Sequence, residues 1–109
     1  MRLAPEMSPT WAGIATWTIR YDAQNLAGRL ETLRALIESQ PGLLEYSFVS
    51  VNATTMLALA LFDSRPHALD ARDCLLPAIR QALGDIVVTV DNKGGAVLAH
   101  FRGDAQAVP

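Results

Sequence analysis

The chain carries a single cysteine, Cys74, among 109 residues, which excludes an intrachain disulfide and any cysteine-rich metal centre. A lone thiol suits a reducing cytoplasm, where the protein is expected, and Cys74 reads as a small helix filler. Charge is sparse and balanced: nine basic and eleven acidic residues leave a net charge of −2. No block of like charge offers itself to a phosphate backbone, so nucleic acid is not an expected partner. No apolar run reaches membrane-spanning length, and Pro5, Glu6 and Pro9 break the first ten residues where a signal peptide would need an apolar core. No membrane association is expected. A Cys-x-x-Cys loop is missing too, so no bound metal is expected.

What is present is apolar. Hydrophobic residues make up 50% of the chain, high for a length that supports one domain with an unfavourable surface-to-volume ratio. Some of that surface is expected to meet a partner. We place the domain at residues 11–102, with a flexible arm over 1–10 and a disordered tail over 103–109.

Residues 11–21 are β-branched, aromatic or small and show no helical repeat, which predicts a long first strand. Leu26, Leu30, Leu33 and Ile37 then fall on one helical stripe, capped by Asn25 or Asp22 and ended by Pro41-Gly42. Strand formers over 44–51 and 54–62 flank Asn52-Ala53, a hairpin turn. A second helix is predicted from about Pro66 to Leu83, stopped by Gly84 and kinked or divided at Pro77. Residues 86–90 and 96–101 read as two strands around Asp91-Asn92-Lys93-Gly94-Gly95, where glycines would allow a tight connection.

The order β-α-β-β-α-β plus one extra C-terminal strand predicts an α+β, ferredoxin-like domain with both helices on one sheet face. Leu57, Leu59 and Leu61 on the other face would lack cover, and a homodimer through sheet faces would supply it.

Several residues are candidates for a site. At about 100° per residue, Ala68, Ala71, Leu75, Ile79, Ala82 and Leu83 form the buried arc of the second helix, and Arg72 falls inside it. A buried guanidinium must be paired or bind an anion. Arg72 therefore holds a substrate enolate or carboxylate, or pairs with Asp63 or another acid, or extends its stem along the core and places its head in water. His67 is a candidate general base, or else an exposed helix-end histidine. Met56, Ala58, Ala60 and Phe62 alternate onto one strand face, where the two alanines leave room for a flat ligand or for close helix packing. Thr16 and Thr18 are candidate ligand hydrogen-bonders on the face opposite Trp11 and Trp17. Tyr46 and His100 are read as structural.

Gln40-Pro41-Gly42-Leu43, the strand end Leu61-Phe62-Asp63-Ser64-Arg65, the long first strand and the valine-rich C-terminal strands together resemble the antibiotic-biosynthesis-monooxygenase-like family of dimeric α/β barrels, over roughly residues 11–102. The resemblance implies a cleft between sheet and helices. It also implies an activity among those of the family: cofactor-independent oxygenation of polycyclic aromatic ketones, haem degradation, or ligand binding and regulation without turnover. Phe62, Arg72 and Thr16 stand where haem degraders carry tryptophan, histidine and asparagine, so haem is not implied. Phe62, Ala58 and Ala68 replace the tryptophan, asparagine and tyrosine of the oxygenases. The reading that follows is a small homodimeric protein without a cofactor, taking an apolar or aromatic molecule. It is an oxygenase acting on an aromatic or polyketide-like compound, or alternatively a ligand-binding or regulatory dimer.

Overall fold

A computed structural model describes residues 8–20 and 26–103. Strands β1 (Trp11–Ile19), β2 (Leu43–Asn52), β3 (Thr55–Phe62) and β4 (Val87–Ala96) form one antiparallel sheet in the order β2-β3-β1-β4. Helices α1 (Leu26–Glu31), α2 (Arg34–Glu38) and α3 (Arg65–Leu83) complete a ferredoxin-like α+β domain, as the sequence predicted.

The register sorts the side chains into two faces, because directly opposed residues of antiparallel strands point the same way. Trp17 lies between Met56 and Val90, Ala15 between Ala58 and Asn92, and Gly13 between Ala60 and Gly94. This is the helix face. Its buried members pack against Ala68, Ala71, Leu75, Ile79 and Leu83 of α3 and against Leu30 and Ile37. The predicted arc of α3 is thus the buried one, with Ala82 half-buried at its edge. Arg29 of α1 donates to the Leu83 carbonyl at 3.0 Å, tying the first helical layer to the end of α3.

At the centre of this layer Trp17 is fully buried, and its indole N–H has no hydrogen-bond partner among the described residues. An unpaired buried donor contributes nothing that its removal could take away. Trp17→Phe is therefore expected to shift the denaturation midpoint by about 1 kcal/mol or less, while Trp17→Ala should lose about 3–5 kcal/mol to the cavity. Equal losses in urea unfolding of the two variants would mean that the N–H does have a partner.

Four details differ from the sequence reading. The first helix is two pieces with a turn at Thr32-Leu33. Arg34 spans it, bonding Glu31 on one side and Glu38 at 3.1 Å on the other; its proposed caps, Asp22 and Asn25, lie outside the described residues. Pro77 does not divide α3, which runs unbroken to Gly84. The carbonyl Pro77 leaves without an N–H, that of Asp73, belongs to the exposed side of the helix, where water can reach it. Asp91 to Gly95 do not turn but continue β4 along the whole of β1. Gly94 and Gly95 are not among the positive-φ glycines, and Gly94 sits where a Cβ would come within 2.8 Å of the Trp11 indole nitrogen. Gly94 thus allows close approach, while a Cβ at Gly95 would meet nothing within 4 Å, and neither makes a reversal. Consequently the extra terminal strand over 96–101 is not formed within the chain: beyond one bond from Val97 N–H to the Thr10 carbonyl at 2.9 Å, residues 97–103 have no strand.

Of the predicted boundaries, Thr10, given to the arm, is held by the same bond and by donating to the Asp63 carbonyl. Residues 1–7 and 104–109, most of the arm and tail, lie outside the described residues.

Candidate functional site

Small residues line both sides of the α3–sheet interface: Gly13, Ala15, Ala58 and Ala60 below, Ala68 and Ala71 above. The backbones cannot close the space that absent side chains leave, and a cleft of about 230 Å³ remains. Trp11 and Phe62, opposite each other in the register, wall one end, and Leu75 and Leu76 continue the apolar lining.

Polar groups lie around this apolar slot. Arg65, the first residue of α3, places its guanidinium 5.2 Å from the Trp11 ring centroid, a cation–π distance. It is put there by the helix start: Ser64 caps α3 by accepting from the His67 N–H at 3.3 Å. Among the described residues no carboxylate pairs with Arg65. Arg72, two turns along, also lines the cleft. Asn92 faces Ala15 across the β1–β4 ladder, and neighbouring Lys93 borders the cleft while its ammonium leans toward Asp91, 3.8 Å away.

Tyr46 closes the side nearest β2. It lies opposite Ala60, and its ring meets that of Phe48 in a tilted contact with centroids 5.2 Å apart. Burial pushes its hydroxyl pKa up to about 12, so it is a neutral donor at ordinary pH. Beyond it a second cleft, of about 700 Å³, lies between α1–α2 and strands β2–β3, with Leu26, Leu30, Ile37, Phe48 and Met56 in its lining. Tyr46 borders both clefts.

Of the residues singled out in the sequence, Ala58, Ala60, Phe62 and Arg72 come together at the first cleft. Arg72 is not buried as its place in the helical arc predicted: its side chain is 44% exposed, and Nε and Nη2 both reach Asp73 Oδ1, at 3.2 and 3.1 Å. The helix turns its head outward while the stem lines the cleft, as long basic side chains allow. Thr16 and Thr18 are separated from the cleft by the sheet itself, since alternation puts them with Leu57 and Thr55 on the helix-free face. His67 is also elsewhere. Its Nδ1–H donates to Asp63 Oδ1 at 2.7 Å, packed against Gly42, and the ring is outside the cleft lining.

Sequence reasoning missed Trp11, Tyr46, Arg65 and Asn92. Asn92 could have been found by carrying strand alternation through the glycines. The position of Tyr46 could have been found by noting that it shares the parity of Phe48 across the hairpin from Ala60. Nothing local signals the Arg65–Trp11 contact, which joins two distant segments.

Among the described residues no group of three His, Cys, Asp or Glu side chains could hold a metal ion. No helix of the described residues is long and apolar enough to cross a membrane.

No family model and no curated protein matches the chain. Solved structures do. A monooxygenase from Streptomyces coelicolor, product of ActVA-Orf6 and solved with nanaomycin D, aligns with a TM-score of 0.65 at 14% identity, covering 88% of this chain and 94% of its own. SnoaB, a cofactor-independent oxygenase from Streptomyces nogalater, aligns with a TM-score of 0.69 at 11% identity over 88% of this chain and 100% of its own. A dimeric ferredoxin-like protein from an uncultured marine organism aligns with a TM-score of 0.65 at 13% identity over 89% and 95%. The chain thus shares the ferredoxin-like fold of these proteins. Identities this low establish the fold and nothing finer.

Proposed function

We propose that the protein is a cytoplasmic homodimer that holds a planar aromatic or polyketide-like molecule as its anion in the α3 cleft and oxygenates it without a cofactor. The observation that carries this reading is the pairing of a flat, apolar floor of glycine and alanine with two guanidinium groups at its rim, one of them without a carboxylate partner. A sibling of this fold is a cofactor-independent oxygenase, and another, a monooxygenase, was solved with nanaomycin D.

The chemistry needs an acidic C–H. Loss of that proton gives a delocalised carbanion, which supplies the electrons that reduce dioxygen and forms a C–O bond to it. The hydroperoxide then loses water, so that a CH₂ group and O₂ become C=O and H₂O. All electrons come from the substrate. The protein's part is to favour the anion by charge in a site from which water is partly excluded. Among the described residues no carboxylate or imidazole lines the cleft, so the proton leaves to solvent at the rim.

Lack of a lining base also favours the second reading, a binding or regulatory dimer that takes the same anion without turnover. Oxygen uptake with dithranol, a readily ionised tricyclic ketone, separates the two. Arg65→Ala combined with Arg72→Ala should lower kcat/KM about 10- to 100-fold with stability changed by about 0.5 kcal/mol or less, because both heads are exposed. Unchanged turnover would remove the arginines from the mechanism, and dithranol binding without uptake above buffer would leave the regulatory dimer.

A further inference from the structure

Tyr46 is a polar side chain of the cleft that the foregoing mechanism leaves unused. It stands on β2 between the two clefts and contributes to the lining of each. Its ring is fixed from two directions, by Phe48 along the strand and by its place opposite Ala60, whose methyl leaves the neighbouring space open. Its hydroxyl, however, finds no hydrogen-bond partner among the described residues. Tyr46 is half-buried and its oxygen is not among the buried polar atoms, so the hydroxyl is open to meet solvent or a ligand in the cleft that it lines.

We propose that the Tyr46 hydroxyl is a binding group for the anion, donating a hydrogen bond to its oxygen from the β2 side of the α3 cleft while Arg65 and Arg72 act from α3. This rests on the reading of that cleft as an anion site. The two kinds of contact do different work. The arginines are exposed and act through charge, which water and salt weaken. Tyr46 acts as a neutral donor whose ring is already held in place against Phe48, so less order is lost when it meets a charged acceptor. Because burial keeps the phenol protonated well past neutrality, it enters every complex as a donor and never as a competing anion. Tyr46 would accordingly orient the ligand, setting which oxygen points inward and which carbon faces the open side where dioxygen arrives.

The test uses lawsone, a hydroxynaphthoquinone ionised at neutral pH, and its methyl ether, which cannot ionise, titrated into the full chain and followed by absorbance. Tyr46→Phe keeps the ring against Phe48 and should leave the unfolding midpoint unchanged. It should weaken lawsone binding about 10-fold or more while leaving the weaker methyl-ether affinity where it was. Retention of full lawsone affinity by Tyr46→Phe, with loss in the double arginine variant, would overturn the role of Tyr46 and leave the cleft reading standing. Failure of the unmodified protein to distinguish lawsone from its ether would overturn the anion site and the Tyr46 proposal with it. A Tyr46→Phe variant less stable than the parent would show that the hydroxyl has an internal partner, which also overturns the proposal.

Discussion

Gly42→Ala is expected to lower the unfolding free energy by about 2–4 kcal/mol and the melting temperature by roughly 10–20 °C. Two independent costs add. Gly42 has φ +76°, a conformation that a side chain resists by about 1–2 kcal/mol. A Cβ built there also overlaps His67 Nδ1 and Asp63 Oδ1, so the methyl would have to break the 2.7 Å bond between them. The junction joins distant parts of the chain. The Asp63 N–H donates to the Gly42 carbonyl at 2.9 Å, Thr10 donates to the Asp63 carbonyl at 2.6 Å, and Ser64, next in sequence, caps α3. Disturbing Gly42 therefore disturbs the start of α3, and with it the seat of Arg65 over Trp11. Removing the imidazole separates the costs. Gly42→Ala in a His67→Ala background should recover the part due to overlap with the ring and retain the parts due to φ and to Asp63, a coupling that thermal melts of the four proteins would read directly. A Gly42→Ala protein that melts with the parent would show that the turn relaxes freely and that the histidine is not fixed by it.

The same junction shows what could be read in the sequence and what could not. Pro41-Gly42 was legible as a helix stop and Pro66 as a helix start, because caps and turns are local chemistry. The alternation Met56, Ala58, Ala60, Phe62 correctly marked one face, because period two is a property of the strand alone. Which face the helices take is not local, and so the threonines of β1, grouped with the cleft residues in the sequence, lie on the helix-free face instead. His67 was legible as a polar residue near a helix start, but its partner comes from four residues back and its packing from Gly42, across the chain. Arg72 shows the limit of helical phase: an arc of 100° steps places a Cα, while a long side chain chooses its own direction from there. The error over Asp91 to Gly95 has a different source. Glycine pairs read as reversals by propensity, and here tertiary demand, the indole of Trp11 lying against Gly94, uses the lack of a side chain at that position in an extended strand.

The proposed dimer makes the other large prediction: Leu59→Glu should convert it to soluble monomers. The helix-free sheet face carries Ile14, Leu57, Leu59 and Leu61 on its two central strands and Val49 on β2, while Glu45, Asp91 and Lys93 lie toward its edges. An apolar centre with a charged rim is the anatomy of an interface. In the single chain Ile14 and Leu59 remain exposed, a patch that an isolated domain would ordinarily cover. Leu59 lies on β3, inside the sheet, next to Ile14 on one side and Ser47 on the other. A two-fold axis through such a patch would bring both copies of the new carboxylate into one desolvated contact, each unpaired and each repelling the other. A loss of about 4 kcal/mol or more, roughly a thousandfold in dissociation constant, takes most dimers apart at micromolar concentration. The monomer itself should keep its circular dichroism, since a glutamate on an exposed face costs the fold little. Light scattering across a dilution series reads both states. An unaltered dimer would move the contact off this face, and the segment after β4, where Leu98 is 98% and Phe101 90% exposed, would be the next place to put a charge.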